Sequence, residues 1–167
     1  YSSMNYFSKY KVFERTGDIY SIFFENGIEI LSEFGHLSYI TSNRFCSTNY
    51  GKSTRNYLSK FELTSLININ NVDIFDEANV GTLISILCKN DRNLSKNTIN
   101  VIDVKELKQA FSIQNISNGL SIKISQRFFD SRQWIFTSNK ILELKEKIES
   151  KGKPLKSVKD LKINRGI

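Results

Sequence analysis

The chain has 167 residues, 40% of them hydrophobic and 25% charged, and a formal net charge of +7. That is enough for one domain with a real core, or for one and a half small units. No run of about 18 apolar residues occurs, which excludes a membrane-spanning helix, while the positive balance leans toward a polyanion such as nucleic acid. The two cysteines, Cys46 and Cys88, form no CxxC pair, and the single histidine, His36, has no ligand cluster in sequence. A zinc site is therefore not expected, and so few cysteines fit a reducing cytoplasm. The opening residues Tyr1 to Tyr6 are polar and aromatic and do not make a signal peptide. A start at Tyr1 with Met4 just inside suggests an excised piece of a longer protein.

Taken in chain order, Ile19, Ile22, Phe23, Ile30 and Leu31 recur at helical spacings and predict a helix over 18–32. Asp18 is placed to cap its start and Gly35 to follow its end. Residues 36–41 read as a short strand running into the turn Ser42-Asn43-Arg44. A second helix is expected over 52–60 with Tyr57 and Leu58 inward, then a strand over 63–69. The turn formers of 70–73 lead to a loop over 74–79 that carries an aromatic residue, Phe75. The run VGTLISILC, residues 80–88, is β-forming and nearly all apolar, as suits an internal strand buried on both faces.

Residues 89–97 are polar, and a boundary is placed there. Beyond it, a strand over 98–104, a short helix through Phe111, strands over 121–128 and 133–137 around an Asp130-Ser131 turn, and a helix over 139–150 are expected. The last helix would place Ile141, Leu144 and Ile148 on one face. Gly152 and Pro154 stop it. Helix, strand, helix, strand, strand over 18–88 is half of an open α/β sheet, and a half-sheet with a bare edge suggests truncation.

Residues 9–89 resemble the second half of the methylase domain in the adenine-specific methyltransferases of type IIG restriction-modification systems. The resemblance is carried by KYKVFERTGDIYSIFFENGIEILSEFGHLSYITSNRFCSTNYGKSTRNYLSKF and INNVDIFDEANVGTLISILCKN. Asp-Ile-Tyr opens a helix, a Gly precedes the strand Leu-Ser-Tyr-Ile-Thr-Ser-Asn, and Tyr-Gly comes next. A turn carrying Phe75 then leads into the last hairpin. The tail GKPLKSVKDLKINRGI is similar to the junction where that family's target-recognition domain begins. The resemblance implies three parts: residues 1–90 as the C-terminal half of a Rossmann-like class I methyltransferase sheet, 91–153 as a mixed α+β connector, and 154–167 as the start of the recognition domain.

It also implies S-adenosylmethionine as cofactor, double-stranded DNA as partner, and contacts with the N-terminal methylase half and the recognition domain of the same parent. No membrane partner is implied. The family's glycine-containing cofactor loop and its Asn-Pro-Pro-Tyr loop are absent; the only proline is Pro154. The fragment is therefore expected to transfer no methyl group by itself, and no catalytic residue is assigned in it. Many parents of this kind also carry a nuclease.

The target nitrogen of adenine lies inside a duplex, so the base must be flipped out and held between flat apolar surfaces. The resemblance places Phe75 as one such surface, and an aromatic in a polar Asn/Asp turn has little local core to join; the plainer alternative is a ring folded back onto the sheet as ordinary packing. Phe23 matches the position that touches the cofactor's adenine ring, against the alternative of plain packing with Ile19, Ile22 and Ile30. Asn43 and Arg44 follow a strand at the end where ligands of open α/β sheets gather. Lys52 and Arg55 sit at the start of the next helix, where anions are favoured. All four are candidates for DNA contact, with a solvated basic surface as the plainer reading. His36 reads as structural. Gly51-Lys52-Ser53 is not a phosphate loop, because Cys46 stands where its first glycine belongs. The rival class is a noncatalytic nucleic-acid-binding or docking module derived from a methylase half.

Overall fold

The computed structural model describes residues 6–69, 81–91, 94–104, 121–153 and 157. Its elements are α1 (Tyr20–Ile30), β1 (His36–Ser42), a 3-10 turn (Asn43–Cys46), α2 (Lys52–Leu58), β2 (Glu62–Ile69) and β3 (Thr82–Cys88). A 3-10 turn (Leu94–Lys96), β4 (Thr98–Val104), β5 (Ser121–Ser125), a 3-10 turn (Gln126–Phe128) and α3 (Asn139–Lys151) follow.

Five strands form one mixed sheet in the order β1-β3-β2-β4-β5. β3 is antiparallel to both β1 and β2, β2 is parallel to β4, and β4 is antiparallel to β5. β1, β2 and β4 therefore point the same way, and their carboxyl ends share one edge of the sheet. The strand expected to be internal is internal: β3 lies between β1 and β2. Its burial is uneven, with Leu83, Ser85 and Leu87 buried toward one face and Ile84 and Ile86 only half-buried on the other.

The strongly buried face carries the main core. Leu63, Leu66, Leu83, Leu87, Ile99, Val101 and Ile124 meet Phe24 and Ile28 of α1, Tyr57 and Leu58 of α2, and Phe129, Trp134 and Leu142 from the C-terminal part. The polar run at 89–97 thus connects strands of one sheet, and residues on both sides of it share one core. Two side chains fasten this junction. Gln126 accepts from the Leu63 amide at 3.0 Å and donates to the Phe61 carbonyl at 2.8 Å. Asn97 donates to the Leu63 carbonyl at 2.8 Å.

Several expectations need correction. The buried side of α1 is Ser21, Ile22, Phe24, Glu25, Gly27 and Ile28, while Ile19, Phe23 and Ile30 are exposed. Glu25 is buried because its carboxylate accepts the Lys11 and Val12 amides at 3.1 and 3.0 Å, which seats the preceding segment on the helix. No side-chain cap forms at the start of α1, and the left-handed residue after it is Phe34, with φ of 61°, not Gly35. Residues 133–137 form no strand. Their backbone turns to the loop after β1 instead, with the Trp134 amide donating to the Cys46 carbonyl at 2.9 Å. On α3, Ile141, Leu144 and Ile148 face solvent, and only Leu142 is buried. The short helix expected through Phe111 lies outside the described residues.

Both cysteines are free and buried. Burial pushes the Cys46 thiol well above its ordinary range, against a smaller opposing pull from Arg55. Burial, with Glu62 and Glu33, raises Cys88 as well. The thiolate is the reactive form, so the folded chain at pH 8 is expected to react with a thiol-exchange reagent many-fold more slowly than the denatured chain. Equal rates before and after denaturation, followed by absorbance, would contradict this burial.

Candidate functional site

The site is built where β1, β2 and β4 end. Asn43, one residue beyond β1, uses two groups. Its main-chain N–H donates to the Gly81 carbonyl at 2.9 Å. Its side-chain Nδ2 donates to Asn68 Oδ1 at 2.9 Å. Asn68, buried near the end of β2, passes the relay on, with its Nδ2 donating to Asp103 Oδ1 on β4 at 2.8 Å. Asn68 and Asp103 are direct register partners in the parallel pair. Both ends of the Asn68 amide are thus satisfied, as burial of a polar group requires.

The turn after β1 is held from below. Ser42 caps it, its hydroxyl accepting from the Arg44 amide at 3.3 Å. Phe45 and Cys46 point into the core. Arg55 of α2 is 3% exposed. Its Nη1 donates to the Phe45 carbonyl and to the Thr48 carbonyl at 2.8 Å, and its Nε donates to the Ser131 carbonyl at 3.1 Å. Burial lowers its pKa from the ordinary value. Gly51 lies directly beneath the turn: a Cβ there would stand 2.0 Å from the Phe45 carbonyl oxygen, inside backbone that has no room to yield. That close approach is the physical content of the Tyr50-Gly51 pair.

The candidate residues therefore divide. Asn43 and Arg44 sit together at the sheet's carboxyl edge, and Arg44 is exposed. Lys52 is exposed at the start of α2. Arg55 is corrected: its guanidinium is committed to three carbonyls inside the molecule, so it is no surface cation. Phe23 is 45% exposed on α1, so the alternative of plain core packing does not describe it. Phe75 lies outside the described residues. Asn68 and Asp103 had not been singled out. Their signal was available in sequence, since each is a polar residue on the inward phase of an otherwise apolar strand, Leu66-Ile67-Asn68-Ile69 and Val101-Ile102-Asp103-Val104. Among the described residues no group of three or more His, Cys, Asp or Glu is placed to hold a metal ion, and no helix is long and apolar enough to cross a membrane.

Residues 2–75 match the family model of the Eco57I restriction-modification methylase. Over that stretch the chain is similar to the Eco57I methylase family. It is 30% identical over 142 residues to the type II restriction enzyme and methyltransferase RM.Eco57I of Escherichia coli, covering 83% of this chain and 14% of that protein. It is 25% identical over 160 residues to the type II methyltransferase M.BstVI of Geobacillus stearothermophilus, covering 87% of this chain and 28% of that protein. Among solved structures, the type IIG restriction endonuclease BpuSI superposes with a TM-score of 0.50 at 18% identity, over 86% of this chain and 17% of that one. That likeness concerns the fold and reaches beyond the methylase match into the residues after 75. The chain spans less than a third of the length of each of these relatives.

Proposed function

We propose that this chain is the C-terminal part of the methylase domain of a site-specific DNA methyltransferase that acts on N6 of adenine. The observation that carries the reading is the match of residues 2–75 to the Eco57I methylase family, on relatives described as type II methyltransferases. The reading assigns the glycine-rich and Asn-Pro-Pro-Tyr loops, which this sequence lacks, to an upstream segment of the parent polypeptide, and sequence readout to a recognition domain downstream. Cytoplasmic double-stranded DNA is the substrate.

In this scheme Phe75 stacks on the flipped adenine. Arg44 and Lys52, exposed cations near the sheet's carboxyl edge, touch phosphates and set the register without reading bases. S-adenosylmethionine supplies the methyl group when bound. The exposed ring of Phe23 offers one flat apolar face that fits the adenine end of that cofactor, and the chain's own contribution is limited to that contact.

Two measurements test the reading. In the intact parent, Phe75→Ala is expected to weaken target-site binding by about 1–3 kcal/mol, the worth of one stacked base; unchanged binding and unchanged methylation would remove Phe75 from the site. Arg44→Ala and Lys52→Ala are each expected to reduce the slope of log affinity against log salt by about 1. An unaltered slope would return them to ordinary surface.

The rival reading is a noncatalytic docking module derived from a methylase half. Mixing this chain with a separately expressed upstream half separates the two. Methyl incorporation from labelled cofactor that needs both halves excludes the docking-only reading.

A further inference from the structure

We infer that Asn43, Asn68 and Asp103 form a positioning relay that fixes the two ends of the segment 70–80 against each other. Asn43 spans the gap with two groups. Its main chain holds Gly81, the residue just after that segment, and its side chain holds Asn68, two residues before residue 70. Asp103 completes the relay by accepting from the other end of the Asn68 amide, so Asn68 cannot rotate without losing two hydrogen bonds. The first residues of β3 are paired on both sides, with Thr82 in register with Ser42 on β1 and with Ile69 on β2. The residues that flank the segment are therefore held by a main-chain ladder and a side-chain strap.

The chemistry favours this assignment over simple packing. A carboxamide placed on the inward phase of an apolar strand costs free energy unless fully hydrogen-bonded, and a Leu at Asn68, with the same branching, would carry no such requirement. Retaining two amides and a carboxylate in a row across three parallel strand ends specifies one geometry at the edge where open α/β sheets bind their ligands. The inference rests on the methylase reading, in which that segment presents Phe75 to the target base. The relay touches neither base nor cofactor; it acts through the segment it holds.

The experiment uses the intact parent methylase and a cognate duplex with 2-aminopurine at the target position. That probe brightens when the base leaves the stack. Asn68→Leu and Asn43→Ala are each expected to lower the fluorescence gain by tenfold or more, and kcat on the matching adenine-containing duplex by as much, while leaving the cofactor dissociation constant within twofold. Asp103→Ala is expected to do the same. Asp103→Asn, which keeps an accepting oxygen for Asn68, is expected to rescue most of the signal. Asn68→Leu and Asn43→Ala variants that fold, flip the base and turn over like the parent overturn the relay. Should Asn68→Leu fail to fold, the half-buried Asn43→Ala and the Asp103 pair decide. Failure of the relay alone shows as loss of flipping in Phe75→Ala but not in the relay variants. An unsubstituted parent that neither flips nor methylates overturns the methylase reading and the relay with it.

Discussion

Replacing Phe45 by alanine is expected to destabilise the folded chain by about 3–5 kcal/mol, a large share of the roughly 5–15 kcal/mol that holds a domain together. Phe45 is fully buried and stands at the meeting point of three parts of the molecule. Its ring lies edge-on to Trp134 at 5.6 Å and to Phe24 at 5.7 Å, and tilted against Tyr20 at 6.1 Å. Truncation removes the transfer term of the ring and leaves a cavity among side chains held by other elements, so the site cannot collapse to fill it. Urea unfolding reads the loss.

The sharper form of this test is a double-mutant cycle between Phe45 and Trp134. Edge-to-face pairs contribute about 0.5–1.5 kcal/mol beyond their burial. A coupling of that size would show that the turn after β1 and the segment after the 3-10 turn Gln126–Phe128 fold as one unit. Strict additivity would mean that the C-terminal part is only laid against the sheet.

How far the sequence could be read depended on what set each element. β1, β2, β3 and β4 were legible because each is a short apolar run bounded by turn formers, and β3 was recognisable as internal from its near-continuous apolar character. The face of α1 was not, because apolar residues occur all round it: Ile19, Phe23 and Ile30 compete with Ile22, Phe24 and Ile28. Tertiary contacts chose the second set by burying Glu25 as an acceptor for two backbone amides, which no hydrophobic periodicity anticipates. Residues 133–137 look like a strand locally. They do not pair as one because the Trp134 amide is claimed by Cys46 and the indole N–H by the Asp130 carbonyl at 2.8 Å.

The candidate site divides the same way. Asn43 and Arg44 could be placed at a strand's carboxyl end from the order of elements alone. Arg55 could not be told from a surface cation, since Lys52 and Arg55 are three residues apart at the start of one short helix, and only the turn packed over that helix decides which of them is buried. The aromatic residues needed the family resemblance: Phe23 and Phe75 are two of twelve Phe, and nothing in spacing marks them out.

Arg55→Ala is expected to be nearly as damaging as the loss of Phe45, at about 3 kcal/mol or more. The substitution leaves the Phe45, Thr48 and Ser131 carbonyls without their donor. Each buried acceptor left unmade costs about 1–3 kcal/mol, discounted where water enters, and the packed stem of the side chain is lost as well. Arg55→Met keeps the stem and removes the donors, so the difference between the two variants isolates the hydrogen bonds. Arg55→Lys is expected to fall between the parent and Met, since one ammonium cannot reproduce the planar fork that serves the turn and Ser131 together. Chemical denaturation orders the four proteins. An Arg55→Ala variant within about 0.5 kcal/mol of the parent, the range of an ordinary surface change, would mean that the carbonyls rehydrate freely and that the clamp adds nothing. On the proposed DNA-binding reading, the same series separates a clamp from a phosphate contact in the intact parent: Arg55→Met, which removes the charge, should leave the salt dependence of DNA binding unchanged, whereas Arg44→Ala should flatten it.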